Sequence, residues 1–281
     1  MHDSYDITIF DEIDSTNNEA KRRIADAGDD IVRPFVFAAH SQTAGRGRQG
    51  KSFYSPKGTG IYLTAVCPVD CPIEGQVTMT TKAAVAVSRA IEGFFGVGCE
   101  IKWVNDIFIN DRKCCGILCE AVNDYEHNRL KFVVIGVGVN VSTSDWPADI
   151  ADTAGSIRKD KLTDDEFRAF AERLAVEILK VIYEPDGSEM SFYRDHSYVI
   201  GREISFSERI NTENGDAERE NTESGGTSRA NTSKADSSQT ITYTATAVGI
   251  DDNGGLIVKL PSGELKKLDS GEITVRVQGR G

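Results

Sequence analysis

Gln42-Thr43-Ala44-Gly45-Arg46-Gly47-Arg48-Gln49-Gly50 follows a β-rich run and carries a formal G-x-G-x-x-G spacing. Taken alone, it would open a dinucleotide-binding βαβ unit. The residues that come next argue otherwise. A phosphate-cradling turn must lead into a helix whose N-terminus faces the pyrophosphate, and Lys51-Ser52-Phe53-Tyr54-Ser55-Pro56-Lys57-Gly58 is aromatic and broken by Pro and Gly. The stretch reads better as a glycine-hinged loop carrying two permanent cations, Arg46 and Arg48, whose forked donors suit carboxylate and phosphate oxygens. Its glycines let the backbone close over a ligand. An exposed basic turn on an acidic protein is the bland reading of the same residues, and only their company elsewhere in the chain decides between the two.

Outward from this loop, the pattern is that of an α+β protein. Tyr5 to Ile13 alternates like a strand, and Thr16-Asn17-Asn18-Glu19 has the form of a capping box for a helix ending near Gly28. Phe35 to Ala39, Ile61 to Val66, Ile101 to Ile109, Lys113 to Val122 and Leu130 to Val141 are further β-rich runs, with Asn110-Asp111 as a hairpin turn. Thr78 to Phe95 and Asp164 to Glu184 repeat apolar residues at helical spacing, the second behind another capping box, Thr163-Asp164-Asp165-Glu166. After His196 the texture changes to short strands, Glu203 to Ser207, Thr242 to Ile250, Gly255 to Leu260 and Glu272 to Val277, with Asp252-Asn253-Gly254-Gly255 as a turn. These predict a small β-barrel. Glu208 to Thr240 holds almost no large apolar residue and reads as a loop inserted in it, because it cannot bury enough surface to offset its ordering entropy.

Composition narrows the function classes. A formal net charge of -12 disfavours DNA and anionic membranes, which are approached through many Lys and Arg contacts. No apolar run nears the roughly 18 residues of a membrane span, and no leader pattern opens the chain, so the expected location is the cytoplasm. Six cysteines then read as reduced thiols. Cys114, Cys115 and Cys119 form the one tight group, and with no His nearby they read as small hydrophobes in a buried strand rather than a metal site.

Two further segments give the basic loop its company. Lys102-Trp103-Val104-Asn105-Asp106 and Arg112-Lys113-Cys114-Cys115-Gly116-Ile117-Leu118-Cys119-Glu120 flank the hairpin turn, which would bring Lys113 and Asp106 to one surface. Asp106 and Asn105 supply hard oxygens of the kind a Mg²⁺-nucleotide prefers. Gly136-Val137-Gly138-Val139-Asn140 offers close backbone approach and an amide. The bland reading of Lys102-Trp103 is a strand with a buried indole and a snorkelling amine.

The ordered set Asp14-Ser15-Thr16-Asn17, Gly45 to Gly50, Lys102 to Asp106, Arg112 to Leu118 and Gly136 to Asn140 resembles biotin protein ligase, over roughly residues 5 to 277. The resemblance implies a catalytic domain at 1–197, related to class II aminoacyl-tRNA synthetases and lipoate ligases, with a mixed sheet and flanking helices. An SH3-like barrel at 198–281 would follow, interrupted by the insert at about 208–240. It implies ATP and Mg²⁺ as co-substrate and metal, biotin as substrate, and a biotin carboxyl carrier protein of a carboxylase such as acetyl-CoA carboxylase as partner. Ser15, Thr16, Asn17 and Gln42 would bind the ureido and neighbouring polar parts of biotin, with Gly45, Arg46, Gly47 and Arg48 ordering over biotin and the adenylate. Lys113 would reach the biotin carboxylate and α-phosphate, and Gly116 would line the biotin pocket. Arg48, Lys102, Asn105, Asp106 and Asn140 would hold the nucleotide, Asp106 its Mg²⁺, and Lys113, Arg46 and Asp106 would carry the chemistry. Val104 stands where the family often has Pro, and Phe53 where a Trp commonly helps contain the ligand.

Some relatives pair through their sheets, so a homodimer belongs to the same expectation. The nearest rival is a lipoate or octanoate ligase of the same superfamily. A biotin-responsive repressor would need a winged helix ahead of Ser15, and no operator binding is expected. A biotin binder without chemistry would lack Lys113 or Arg46, and both are present.

Overall fold

The computed structural model describes residues 5–72, 76–211, 238–269, 271 and 273–275. Its elements run β1 (Asp6–Phe10), α1 (Thr16–Ala27), β2 (Phe35–Ala39), β3 (Gly60–Pro72), α2 (Gln76–Phe95), β4 (Glu100–Lys102), β5 (Asp106–Ile109), β6 (Arg112–Asp124), β7 (Arg129–Asn140), α3 (Asp164–Tyr183), α4 (Glu189–Asp195), β8 (Glu203–Asn211), β9 (Ser238–Ile250), β10 (Leu256–Lys259), β11 (Leu265–Leu268) and β12 (Ile273–Val275). Seven strands form a mixed sheet in the order β1-β2-β3-β7-β6-β5-β4, in which only the β1–β2 pair is parallel. The last five strands form an antiparallel sheet in the order β11-β10-β9-β8-β12.

Strand alternation sorts the residues of the large sheet onto two unlike faces. Ile61, Leu63, Ala65 and Cys67 of β3, with Val133, Ile135, Val137 and Val139 of β7, pack under α2 and α3 in the main core. The opposite face is covered at one end only, where Ala20 and Ile24 of α1 sit on Val66, Phe37, Phe132 and Val134. Burying Ile24 there contributes about 2 kcal/mol. Farther along this second face the outward positions of β7 are Gly136 and Gly138, so the sheet surface loses its side chains where α1 stops covering it. The fold thereby leaves a trough.

The small sheet docks beside this trough. Trp103 Nε1 donates to Gly254 O at 2.9 Å and Arg194 Nε to Ile250 O at 2.8 Å. Ile204, Phe206, Ala247 and Leu256 join the same continuous core as α2 and α3.

Several local expectations change. Thr16-Asn17-Asn18-Glu19 forms no capping box: Ser15 is the N-cap and makes no side-chain cap bond, because the Thr16 hydroxyl is engaged across the fold. The second box does form, with Glu166 N donating to Thr163 Oγ1 at 3.2 Å and Thr163 N to Glu166 Oε2 at 2.9 Å. The run from Ile101 to Ile109 is two strands, since the chain reverses at 103–105 and pairs Lys102 with Asp106. Asn110 and Asp111 make the next turn with φ of 53° and 60°, the left-handed pair a two-residue hairpin favours. Strand β11 went unforeseen. The insert's flanks are strand, with Asn211 opposite Ser238, and its interior lies outside the described residues.

Candidate active site

The trough is the floor of a cleft of about 400 Å³. Among the described residues its walls carry five basic side chains, Arg46, Arg48, Lys51, Lys102 and Lys113, against one carboxylate, Asp106. On a chain of net charge -12 this is a local inversion of sign, and it makes the cleft a receptor for anions. Gly116, Gly136 and Gly138 form the floor, with Gly116 directly opposite Gly138 on the neighbouring strand. The Phe53 ring lies over this pair, so closely that a Cβ on Gly138 would overlap it.

The hairpin assembles the charged end. Reversal at 103–105 sets Asp106 opposite Gly116, and the next turn returns Lys113, whose Nζ lies 2.8 Å from Asp106 Oδ1. Lys113 is about a third exposed, whereas Asp106 Oδ1 is buried and makes no hydrogen bond, so the ammonium offsets its charge until a ligand's oxygens draw it away.

Asn105 is committed differently. Its Nδ2 donates to Ile117 O at 2.8 Å and its Oδ1 accepts from Arg48 Nη1 at 3.0 Å. Its amide thus pins the basic loop onto β6 instead of presenting a spare oxygen for a metal. The loop itself is a short 3-10 turn, Arg48–Gly50, and not the start of an α-helix. Arg46 sits at the other end of the loop, 3.3 Å from Asn18 Oδ1 and 3.7 Å from Glu120 Oε1.

The far end of the cleft is polar and neutral. Thr16 N donates to Gln42 Oε1 at 2.9 Å, and Gln42 Nε2 donates to Ser55 Oγ at 3.0 Å, with Asn17 alongside. One cavity therefore holds Thr16, Asn17, Gln42, Arg46, Gly47, Arg48, Lys102, Asn105, Asp106, Lys113 and Gly116, drawn from four separate stretches of chain.

Three expected residues stand outside the wall. Ser15 is the α1 N-cap and is 1% exposed. Gly45 packs its Cα against Phe53 O and Ser55 Oγ. Asn140 pairs with Gly60 at the end of β7 and is 4% exposed. In their place come Ile150 and Thr153, from an irregular stretch without periodic pattern, and Gly271, Ile273 and Thr274 from the small sheet. No local signal marks those last three, because they reach the cleft only through docking of the second sheet.

Among the described residues no group of three or more His, Cys, Asp or Glu is placed to hold a metal ion. Of the described residues, Asp106 is the one that offers a carboxylate to the cleft. That suits a Mg²⁺ arriving on a nucleotide, which takes one or two protein carboxylates and fills the rest of its octahedron with phosphate oxygens and water.

The cysteines are free and play no part in the cleft wall. Burial pushes the thiols of Cys67, Cys99 and Cys119 up to about 12 and raises Cys114 and Cys115 as well. Only thiolates react. Iodoacetamide at pH 8 is accordingly expected to label, at most, the partly exposed Cys71 and Cys119 in the native chain and all six after denaturation; rapid native labelling at Cys67, Cys99, Cys114 or Cys115, read by peptide mass, would contradict this packing.

Comparison with known proteins agrees with the geometry. The Biotin/lipoate A/B protein ligase family matches residues 10–140, and the biotin protein ligase C-terminal domain matches residues 236–276. The bifunctional ligase/repressor BirA of Bacillus spizizenii is 28% identical over 94% of this chain and 73% of its own length. The biotin--[acetyl-CoA-carboxylase] ligase of Mycobacterium tuberculosis is 27% identical over 70% of this chain and 73% of its own. A biotin protein ligase from Aquifex aeolicus, solved with biotin and ATP, superposes with a TM-score of 0.67 at 20% identity, covering 96% of this chain and 98% of that one. With the two family models matching residues 10–140 and 236–276 in order, this chain belongs to the biotin protein ligase family.

Proposed function

We propose that the chain activates biotin with ATP and passes it to a lysine of a biotin carboxyl carrier protein. The observation that carries this reading is one cavity with a neutral hydrogen-bonding end, an apolar middle made by glycines and the Phe53 ring, and a cationic end. Biotin has that order of parts: a ureido ring, an apolar body and a carboxylate. In the first step a biotin carboxylate oxygen attacks the α-phosphate of ATP, forming the mixed anhydride and releasing pyrophosphate. In the second the carrier amine, unperturbed pKa about 10.4, attacks the acyl carbon; AMP leaves with the bonding electrons and the amine gives up its proton.

Two anions must meet in the first step, so cations have to be in place beforehand. Lys113 stands at the carboxylate end, where it trades Asp106 for ligand oxygens. Arg48 and Arg46 lie on the loop that covers the floor, and Lys102 faces the same space. Asp106 would hold a Mg²⁺ arriving with the nucleotide, and the ion would there supply neutralisation of phosphate charge. A closed loop also keeps water from the anhydride.

The rival substrate, a lipoyl or octanoyl acid, has nothing to pair with Thr16, Asn17 and Gln42. Leaving such groups unpaired costs about 1–3 kcal/mol each. Pyrophosphate exchange driven by biotin but not by lipoate tests the assignment; equal exchange with both acids would refute it. The cleft's basic patch is enclosed and the chain as a whole is acidic, so no operator DNA is expected to be retained in a gel shift. Among the described residues no helix is long and apolar enough to cross a membrane, and the buried free thiols suit the reducing cytoplasm.

Arg46→Gly tests the cover. The loop loses its anchors on Asn18 and Glu120 while Lys113 stays in place. Adenylate formation is expected to persist and the intermediate to escape, raising biotin labelling of bystander proteins about tenfold or more; labelling confined to the carrier would argue against a containing role.

A further inference from the structure

Beneath the neutral end of the cleft lies a residue outside the cleft lining and outside every motif discussed above. Thr64, on β3, is fully buried, and its Oγ1 lies 2.8 Å from both Thr16 Oγ1 and Asn17 Oδ1. On the other side of Asn17, its Nδ2 donates to Glu120 Oε2 at 3.2 Å, and Lys21 Nζ holds the second oxygen of that carboxylate at 2.6 Å. Gly136, opposite Thr64 on β7, makes room for this: a Cβ there would overlap the Asn17 amide.

Counting protons fixes the direction of each bond. A carboxylate only accepts, so the Asn17 atom facing Glu120 must be nitrogen, and its oxygen must face Thr64. Asn17 Oδ1 only accepts, so the single Thr64 hydroxyl proton is spent on it. The Thr16 hydroxyl has one proton of its own and two acceptors within reach, Thr64 Oγ1 and Gln42 Oε1. Gln42 is fixed independently, because the Thr16 backbone N–H can only donate and therefore selects Oε1. Both amide oxygens are thus turned into the protein. Each amide nitrogen keeps a second N–H beyond those given to Glu120 and Ser55, and both side chains line the cleft.

We infer that Thr64 and Glu120 are positioning residues that lock Asn17 so that the neutral end of the cleft presents donors and selects a ligand carrying an acceptor oxygen there. This rests on the proposed biotin site and deepens it: the selected group is the ureido carbonyl, and the discrimination is set by residues behind the wall. Without the Thr64 hydroxyl, Asn17 Oδ1 loses its buried donor and the amide is held from the Glu120 side alone.

The test uses the full chain with Thr64→Val, which keeps the shape and removes the hydroxyl, and Thr64→Ser, which keeps the hydroxyl. Biotin is compared with 2-iminobiotin, whose guanidinium carries N–H donors where biotin has its carbonyl oxygen. Thr64→Val is expected to raise the biotin Kd and KM about tenfold, leave the ATP KM unchanged, and shrink the preference for biotin over iminobiotin by a similar factor. Thr64→Ser is expected to return all three to within about twofold of wild type. Thr64→Val with wild-type affinity and preference would overturn the inference alone, as would a Thr64→Ser variant as impaired as Thr64→Val, since that marks a packing role. Failure of the wild-type chain to bind biotin would overturn the functional reading and this inference with it.

Discussion

Lys113→Ala is expected to slow biotinyl-adenylate formation by about 10²–10³-fold, the usual loss when one preorganised charge partner is removed from a reacting centre. Two effects add. The cation that meets the incoming carboxylate is gone, and Asp106, now without its partner at 2.8 Å, turns an unneutralised carboxylate toward the same anions. The fold should survive: Lys113 is 35% exposed and the strand beneath it is anchored by Cys114 and Cys115 in the core, so the loss is limited to about 1–3 kcal/mol for leaving the buried Asp106 Oδ1 without its partner. Burst-phase pyrophosphate release at saturating biotin and ATP, with a thermal melt as control, checks both halves. A wild-type burst would remove Lys113 from the chemistry.

Gly138→Val is expected to abolish biotin binding, raising Kd about 100-fold or more, while the sheet stays intact. Valine favours strands, so β7 tolerates it locally. The trough does not. Gly138 faces Gly116 across the ladder, and the Phe53 ring rests on the pair, so a branched side chain at 138 fills the one part of the second sheet face that has no side chains of its own. At about 25 cal/mol per Å², excluding an apolar ligand body of roughly 100 Å² from this floor forfeits about 2.5 kcal/mol before any clash is counted. Calorimetric titration with biotin measures the loss. Near wild-type affinity with an unchanged melting temperature would place the ligand elsewhere.

Much of this was legible in the sequence, and the physical reasons separate what was from what was not. The basic loop was readable because the aromatic, proline-broken residues after Gly50 cannot begin a helix. Lys113 and Asp106 could be paired because a hairpin turn with two left-handed residues leaves few alternatives for its flanks. The split of Ile101 to Ile109 was not legible: an apolar run shows periodicity but not the reversal at 103–105, which depends on Asn105 bonding to Ile117 and Arg48. The first capping box failed for a related reason, since Thr16 has a stronger demand from Gln42 and Thr64 than from its own helix. Thr64 itself reads as one more position in a buried strand. Its importance comes from hydrogen-bond direction, which emerges only once three strands and a helix have met.

The central claim is that charges distant in the chain converge on the acid end of biotin where it meets ATP. Incubating the chain with ATP, Mg²⁺, biotin and a biotin carboxyl carrier domain, then weighing the intact carrier, tests it most directly. The expected result is a carrier heavier by a single biotinyl group, only when ATP is present. An unchanged carrier mass under those conditions, with the chain folded and the acceptor lysine available, would contradict it.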